Sequence, residues 1–299
     1  MKYINFGQEK LSKLALGTVQ FGLDYGIANA KGQPSQESVN EIITYVSNNG
    51  INCYDTAQAY GNSEVVLGEA LKGVTDKIVI SKLKSDIFRH DAINNILKSL
   101  KNLNSKSLFA LLLHDSELLY EWTDEASMLV DSLINRGNIQ YFGVSIYTSE
   151  DFELAIQNEK INFIQIPFNL FDQRAYKEEW FKKAKQNNKL IFIRSVFLQG
   201  LLLMDKDEIP AKLESAKKYI DIIESYANKL NVSKNQLALS FVDSIASDSL
   251  ILFGCDNLEQ ARENIINYNN LKPLNKSQIV ELSNQLSDID EKIYNPTRW

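Results

Sequence analysis

Short apolar runs alternate with segments of helical length along the whole chain. Several runs are near-continuous Ile, Val, Leu and Phe, a pattern typical of parallel strands that are buried on both faces. The segments between them have amphipathic helical spacing, and Ser63 and Ser233 indicate where two of them begin. The eight predicted strands are Leu14–Thr18, Ile51–Asp55, Ile78–Lys82, Leu108–His114, Tyr141–Ser145, Phe163–Pro167, Leu190–Val196 and Leu250–Gly254.

Eight strand–helix pairs without a Pro/Gly-rich linker favour one closed barrel over two domains. We therefore expect an α/β fold, a single (β/α)₈ TIM barrel over residues 1–299. Lys2–Phe6 and Lys10–Lys13 predict a hairpin that plugs the amino-terminal end of the barrel, and Ser277–Ile293 predicts an extra C-terminal helix. The helices predicted between strands include Ser38–Asn48, Ser63–Leu71, His90–Leu103, Glu125–Asn135, Asp172–Asn187, Lys212–Leu230 and Leu258–Tyr268.

The composition of the chain indicates its partners and location but says little about the reaction. The chain of 299 residues has a net charge of -6 and no cluster of Lys and Arg interleaved with aromatic residues, which argues against nucleic-acid and anionic-membrane partners. No secretory segment or membrane-length apolar stretch is present, so we expect a cytoplasmic protein, monomeric or weakly homo-oligomeric. Cys53 and Cys255 lie in apolar contexts and are predicted to be buried free thiols.

Four ionisable residues lie at or just after strand ends. Asp55, Lys82 and His114 end three consecutive predicted strands, and Tyr60 lies a few residues beyond Asp55. An Asp, Tyr or Lys at a strand end, taken alone, is more often structural than functional, whereas His114 taken alone is about equally often either. The carboxyl ends of all strands in a closed parallel barrel share one rim, so we expect the four side chains to converge. A carboxylate, a phenol, an ammonium and an imidazole together predict a proton-transfer site.

The segment from Asp55 to Glu64, followed by Leu67 and Gly68, closely resembles the signature of the aldo-keto reductases. The resemblance implies an NAD(P)(H)-dependent enzyme that reduces a small-molecule carbonyl, with Tyr60 as general acid, Lys82 and Asp55 tuning it, and His114 orienting the carbonyl. The other matching positions, which span most of the chain, are Leu16–Thr18, Lys82, His114, Arg136–Ile139, Phe142–Ser145, Gln165, Asn169, Gln199–Leu202, Gly254 and Glu263–Asn264.

The chemistry of carbonyl reduction agrees with these roles. A carbonyl that accepts a hydride builds negative charge on oxygen, so a proton donor must be waiting there. A free phenol, with a pKa of about 10, is a weak acid at neutral pH. We expect the Lys82 ammonium to lower the pKa of Tyr60, and Asp55 to keep that ammonium charged and in place. His114 then supplies a second hydrogen-bond donor to the substrate oxygen.

No Gly-rich dinucleotide fingerprint follows the first strand, which argues against a doubly wound cofactor domain. Backbone N–H groups around strands seven and eight of a barrel can hold phosphate instead. The expected cofactor is NADP(H) or NAD(H), and no metal is expected. The residues expected to bind it are Gly17, Thr18, Asp55, Ser145, Gln165, Arg194, Ser195, Gln199, Gly200, Leu201, Gly254, Asp256, Gln260, Glu263 and Asn264.

Three positions depart from the family pattern. Ile146 replaces an Asn that usually helps to hold the nicotinamide amide. Arg194 stands where an aromatic residue usually stacks on the nicotinamide, and its planar guanidinium can stack there or face an anionic substrate or phosphate. Asp256 and Arg262 replace an obvious basic pair near the adenosine 2′-position. The choice between NAD(H) and NADP(H) therefore stays open.

The substrate is the least determined element of the sequence. Leu16–Gly22, Asp24–Asn29 and Arg194–Gly200 are similar to bacterial family members associated with sugar and surface-polysaccharide biosynthesis. This resemblance implies a sugar or nucleotide-sugar carbonyl, with small aldehydes as an alternative. Two other functions stay open: a non-catalytic, cofactor-binding regulatory subunit on the same barrel, and a sugar epimerase or dehydratase that uses the cofactor without net redox change.

Overall fold

The computed structural model describes residues 1–29 and 32–299, and its centre is a closed barrel of eight parallel strands. The last barrel strand pairs with the first, which closes the sheet. The predicted (β/α)₈ fold is therefore confirmed. The strands are β1 (Tyr3–Phe6), β2 (Glu9–Ser12), β3 (Leu14–Gly17), β4 (Cys53–Asp55), β5 (Ile78–Leu83), β6 (Leu108–Leu113), β7 (Ile139–Ser145), β8 (Phe163–Pro167), β9 (Leu190–Arg194) and β10 (Leu250–Phe253).

Capping side chains set the start of several helices. Ser35, Thr123, Thr148, Ser233 and Asn257 each accept a hydrogen bond from the backbone N–H three residues on, which satisfies an amide that the helix leaves unpaired. The helices are α1 (Gln36–Asn48), α2 (Ser63–Ala70), α3 (Ser85–Asn102), α4 (Glu117–Tyr120), α5 (Asp124–Asn135), α6 (Ser149–Gln157), α7 (Arg174–Lys177), α8 (Trp180–Gln186), α9 (Lys217–Leu230), α10 (Lys234–Ile245), α11 (Leu258–Asn269), α12 (Lys276–Gln285) and α13 (Glu291–Tyr294). Short 3₁₀ helices are Val19–Phe21, Leu198–Gly200, Lys206–Glu208, Ala211–Ala216 and Pro296–Arg298.

The antiparallel pair β1 and β2 closes the amino-terminal end of the barrel, as predicted. The ring of Phe6 lies 5.0 Å from the ring of Tyr141 and 4.7 Å from that of Phe163, measured between centroids. These contacts continue a cluster of buried side chains in the barrel interior that includes Cys53 and Phe192. Because the hairpin fills this end, the opposite rim is the open face of the barrel.

Several predicted elements have different limits. The helix predicted over Asp172–Asn187 is divided into α7 and α8, because Glu179 adopts a left-handed conformation with φ 58°. The first turn of the predicted helix Lys212–Leu230 is a 3₁₀ helix. Ser277–Ile293 forms two helices, and the Asp290 side chain caps the second by accepting a hydrogen bond from the Lys292 amide. An apolar repeat at helical spacing runs through such breaks without marking them.

Other boundaries shift by a few residues. β9 ends at Arg194 rather than Val196, because the chain turns at Ser195 with φ 61°. α3 begins at Ser85, ahead of the predicted start at His90.

Both cysteines are buried and free, as predicted. Among the described residues, no helix is both long enough and apolar enough to cross a membrane.

Candidate active site

A buried ion pair joins the ends of β4 and β5. The Lys82 Nζ atom lies 2.6 Å from the Asp55 Oδ2 atom and donates a second hydrogen bond, of 2.9 Å, to the Thr56 carbonyl. The Asp55 Oδ1 atom accepts a hydrogen bond of 3.1 Å from the Gln165 side-chain amide on β8. Lys82 is completely buried. Three strands of the barrel therefore hold one carboxylate and one ammonium in fixed positions.

A tight turn after β4 presents Tyr60 to this pair. Gly61 has φ 57°, and a Cβ atom on it would lie 2.2 Å from the Gly22 carbonyl oxygen, so only glycine fits. The Tyr60 ring centroid lies 5.1 Å from the Lys82 Nζ atom. We call Asp55, Tyr60 and Lys82 the rim group.

Burial dominates the ionisation of the rim group. It raises the pKa of Tyr60 above its ordinary value, and the Lys82 ammonium, which acts in the opposite direction, does not reverse this change. Burial alone would lower the pKa of Lys82, but Asp55 and Tyr60 together raise it. Lys82 therefore acts on the pKa of Tyr60 in the expected direction, but desolvation of the phenolate outweighs it, so the pKa lies above its ordinary value rather than below it. At neutral pH the group holds a protonated phenol and an ammonium.

His114 completes the arrangement predicted from the strand ends. Its backbone amide donates a hydrogen bond of 2.7 Å to the Leu83 carbonyl, and its ring lies edge-on to Tyr60 with centroids 5.3 Å apart. Burial, and secondly the Lys82 charge, lower the pKa of His114 to about 4. The imidazole is therefore neutral at physiological pH, with one nitrogen that donates and one that accepts.

A cavity of about 530 Å³ opens at this rim. Asp55, Tyr60 and His114 line it, whereas Lys82 lies behind them. Leu201 does not line it: the side chain is completely buried in the core, and the amide donates to the Leu198 carbonyl at 3.1 Å. The other residues predicted to bind the cofactor all line it, namely Gly17, Thr18, Ser145, Gln165, Arg194, Ser195, Gln199, Gly200, Gly254, Asp256, Gln260, Glu263 and Asn264.

The loop after β9 forms one wall of the cavity with an unusual backbone. Ser195, Leu198 and Gln199 have φ of 61°, 48° and 55°, values that residues with side chains adopt rarely. Gly200 follows with φ 94°, and a Cβ atom on it would lie 2.5 Å from the Ala28 Cβ atom. Strain of this kind persists where surrounding contacts enforce it and is concentrated at functional sites.

Arg194, the last residue of β9, directly precedes this loop and stacks on a tyrosine. Its guanidinium carbon lies 4.1 Å from the Tyr147 ring centroid. It donates hydrogen bonds to the Ile146 carbonyl at 3.1 Å and to the Ser195 hydroxyl at 3.4 Å. The aromatic surface at this position is therefore Tyr147, with Arg194 lying against it.

The far end of the cavity lies where α11 begins. The Asp256 amide donates to the Gln260 side chain at 2.8 Å, and the Gln260 side chain donates to the Asp256 carboxylate at 3.3 Å. Burial raises the pKa of Asp256 above its ordinary value. The Arg262 guanidinium lies 5.3 Å from the Tyr45 ring centroid and is not among the residues that line the cavity.

Several lining residues were missed from the sequence. They include Gln20, Tyr25, Tyr147, Phe197 and Asn235. Most lie in loops, where neither periodicity nor motif singles out a residue, and only closeness to a strand end signals the rim. Burial raises the pKa of Tyr25 to about 12, so its hydroxyl is a neutral hydrogen-bond donor.

The cavity suits a long polar ligand such as a nicotinamide dinucleotide. Four buried polar atoms that line it have no hydrogen-bond partner among the described residues: Gln20 Oε1, His114 Nδ1, Asn235 Oδ1 and Asp256 Oδ1. Buried polar atoms are normally paired, so these four indicate a missing partner. Within residues 1–29 and 32–299, no group of three or more His, Cys, Asp or Glu residues could hold a metal ion.

Residues 13–286 match the model of the Aldo/keto reductase family, and the chain belongs to this family. It is therefore an oxidoreductase that depends on a nicotinamide cofactor. The NADH-specific methylglyoxal reductase of Escherichia coli (strain K12) is 25% identical over 316 residues, which cover 92% of this chain and 96% of that protein.

Solved structures show the same fold. The aldo-keto reductase AKR11C1 from Bacillus halodurans, in its holo form, has a TM-score of 0.78 and 18% identity, with 100% of this chain and 99% of that chain covered. An aldo/keto reductase from Klebsiella pneumoniae in complex with NADP and acetate has a TM-score of 0.71 and 22% identity, with 99% and 96% covered.

Proposed function

We propose that the protein reduces a carbonyl group of a sugar or sugar derivative to an alcohol, with Tyr60 as the general acid. One observation carries this proposal. A protonated phenol lies between a buried Lys82–Asp55 ion pair and a neutral imidazole, at the rim of a cavity that also contains the expected cofactor-binding loops.

The reaction needs one hydride and one proton. Reduced nicotinamide, when bound, supplies the hydride and is oxidised to NAD(P)⁺. As the carbonyl carbon gains this hydrogen and its electron pair, Tyr60 donates its hydroxyl proton to the carbonyl oxygen, so that C=O becomes H–C–O–H. The Lys82 ammonium stabilises the phenolate, which takes its next proton from solvent. His114 donates a hydrogen bond to the carbonyl oxygen and thereby orients it.

Three parts of the cavity wall hold the cofactor in this proposal. Ser145 and Gln165 bind the nicotinamide amide, and the backbone around Gln199 and Gly254 binds the phosphates. The Asp256 carboxylate faces the adenosine ribose, which favours NAD(H) because a 2′-phosphate meets a like charge there. The orientation of Arg262 towards Tyr45, outside the cavity, and the NADH specificity of the Escherichia coli relative support the same preference.

The lining of the cavity supports a sugar substrate. Tyr25, Tyr147 and Arg194 contribute hydroxyl and guanidinium donors, and ligand pockets gain specificity from a few such groups placed among apolar surface. The sequence similarity to bacterial members associated with sugar and surface-polysaccharide biosynthesis points in the same direction. A nucleotide sugar belongs to the same class.

The test uses purified protein with NADH or NADPH and a panel of small aldehydes, aldoses and keto sugars, including methylglyoxal. We expect nicotinamide absorbance to fall and an equimolar alcohol to form. Cofactor binding without turnover would instead indicate a regulatory subunit. An isomerised or dehydrated sugar without net cofactor oxidation would indicate an epimerase or dehydratase. Either outcome overturns the proposed reduction.

A further inference from the structure

We propose that Arg194 binds an anionic group of the substrate, a carboxylate or a phosphate, so that the natural substrate is a negatively charged sugar carbonyl. This inference rests on the proposed reduction and specifies its substrate. It starts from the charges at the end of the cavity that contains the rim group.

Among the described residues that line the cavity, Arg194 is the one lysine or arginine. Lys82 is paired with Asp55 at 2.6 Å, whereas Tyr60 and His114 are neutral. No carboxylate in the described part of the chain forms a salt bridge with Arg194, whose two protein acceptors are both uncharged. A half-buried cation without a counter-charge favours an anionic ligand.

Arg194 also has the geometry of a prepared anion site. A guanidinium carries five N–H donors, and within residues 1–29 and 32–299 Arg194 donates only two hydrogen bonds to protein acceptors. Stacking on Tyr147 restrains its plane, which leaves donors directed for a bidentate contact with a carboxylate or phosphate. The charge of Arg194 also acts to lower the pKa values of Tyr60, His114 and Tyr25, so it lies close to the residues that are proposed to contact the carbonyl.

A second arginine, Arg174, contacts the backbone of Tyr147 and differs from Arg194 because its charge is paired within the protein. Arg174 donates to the Tyr147 carbonyl at 2.6 Å, and its Nε and Nη2 atoms lie 2.8 and 2.6 Å from the two carboxylate oxygens of Asp172. Its charge is therefore compensated within the protein while it anchors Tyr147. Arg174 therefore holds Tyr147 in place, and the charge of Arg194 remains available for the ligand.

The experiment compares matched pairs of substrates that differ in charge. D-Glucuronate is paired with D-glucose, and D-glyceraldehyde 3-phosphate with D-glyceraldehyde, so that the two pairs distinguish a carboxylate from a phosphate. We expect wild-type kcat/KM to favour the anionic member of at least one pair. Arg194→Met should reduce kcat/KM for that member about 30-fold more than for its neutral partner, the effect expected of charge-assisted hydrogen bonds.

Arg194→Lys keeps the charge and should restore part of the preference. Arg262→Met is the matched control, because Arg262 also stacks on a tyrosine but lies outside the cavity lining. It should leave the preference unchanged. Wild-type preference for the neutral member of both pairs would overturn the inference, whatever the stability of the variants.

A binding measurement separates this inference from the proposed reduction. Calorimetric titration uses protein saturated with the reduced cofactor, which cannot accept a hydride from an alcohol, so no turnover occurs. The ligands are L-gulonate, the alcohol formed from D-glucuronate, and neutral D-glucitol. We expect L-gulonate to bind more tightly than D-glucitol and to lose about 30-fold in affinity in Arg194→Met. Equal losses for both ligands, or weakened cofactor binding instead, would assign Arg194 to the cofactor or carbonyl oxygen. If no carbonyl is reduced yet L-gulonate binding depends on Arg194, only the proposed reduction fails.

Discussion

The rim group has a counterpart at the opposite end of the barrel. Lys13, just before β3, forms a buried ion pair with Asp243 on α10. Tyr268 on α11 lies near the same carboxylate, and its pKa is raised by burial and by the charge of Asp243. We call Lys13, Asp243 and Tyr268 the bottom group, because they lie at the amino-terminal end of the barrel. The two groups contain the same three residue types, and every member is buried except Tyr60, which is half-buried.

What separates the groups is their surroundings. Asp55 and Tyr60 line the cavity beside His114, whereas no member of the bottom group lines it. Burial lowers the pKa of Lys13 despite its pairing with Asp243, in contrast to the raised pKa of Lys82. The comparison teaches that this set of side chains does not by itself indicate an active site. Its place at the carboxyl-terminal rim, where ligands bind in barrels of this class, is what distinguishes it.

Replacing each lysine by methionine gives the largest expected contrast. Lys82→Met leaves the buried Asp55 carboxylate without a charged partner and should lose about 3–5 kcal/mol of stability in denaturant unfolding. Asp243 keeps an ion pair of 3.1 Å with the exposed Lys2 side chain, so Lys13→Met should lose less stability. Turnover, corrected for the folded fraction, should fall about 10²-fold or more only in Lys82→Met. Wild-type turnover in Lys82→Met after this correction would show that the rim pair acts on stability alone.

The pH dependence of Lys82→Met sharpens the same contrast. The Lys82 ammonium favours the phenolate form of Tyr60, so its removal should move the limb of the kcat profile that reports Tyr60 to higher pH. The profile of Lys13→Met should overlay that of wild type. A Lys82→Met profile that also overlays wild type would mean that this ammonium does not tune the phenol.

A smaller effect is expected at the far end of the cavity. If Asp256 faces the adenosine ribose, Asp256→Arg should shift the ratio of the NADH and NADPH dissociation constants about tenfold towards NADPH, about 1.4 kcal/mol. Fluorescence titration with both cofactors measures this ratio. Arg262→Met should leave it unchanged. Tight NADPH binding by wild type that Asp256→Arg does not alter would show that this carboxylate points elsewhere.

The smallest effect concerns His114. Because its pKa lies at about 4, kcat/KM should show no limb near the ordinary histidine value of about 6.5. As the pH falls from about 6.5 to about 4, His114 becomes protonated in the unfolded chain but stays neutral in the folded protein. Folding stability should therefore fall over this pH range. Imidazole NMR signals followed against pH test this, with His90, whose side chain is 70% exposed, as the reference. A His114 signal that titrates near pH 6.5 would contradict the neutral imidazole.

The barrel was predictable because its strands are buried on both faces and read as continuous apolar runs. The breaks at Glu179 and Asp290 were not, since a left-handed residue or a capping aspartate leaves the helical repeat of apolar positions unchanged. Sequence periodicity reports which face of an element is buried. It does not report where the backbone leaves that element.

The candidate site divides in the same way. Asp55, Lys82 and His114 could be predicted because they end buried strands, and the topology then brings them together. Leu201 was placed wrongly because the left-handed turn before it directs its side chain into the core. The stacking of Arg194 on Tyr147 joins the end of β9 to the loop after β7, far apart in sequence, so only the folded structure reveals it.

The most direct test of the account is Tyr60→Phe, which removes the proposed proton and little else. Turnover of a carbonyl substrate should fall by about 10²-fold or more, while the cofactor dissociation constant stays near the wild-type value. The control is Tyr54→Phe, which removes a buried hydroxyl bonded to the Ile51 carbonyl at 3.1 Å, away from the cavity, and should keep wild-type turnover. Wild-type turnover in Tyr60→Phe would contradict the central claim that this phenol is the proton donor.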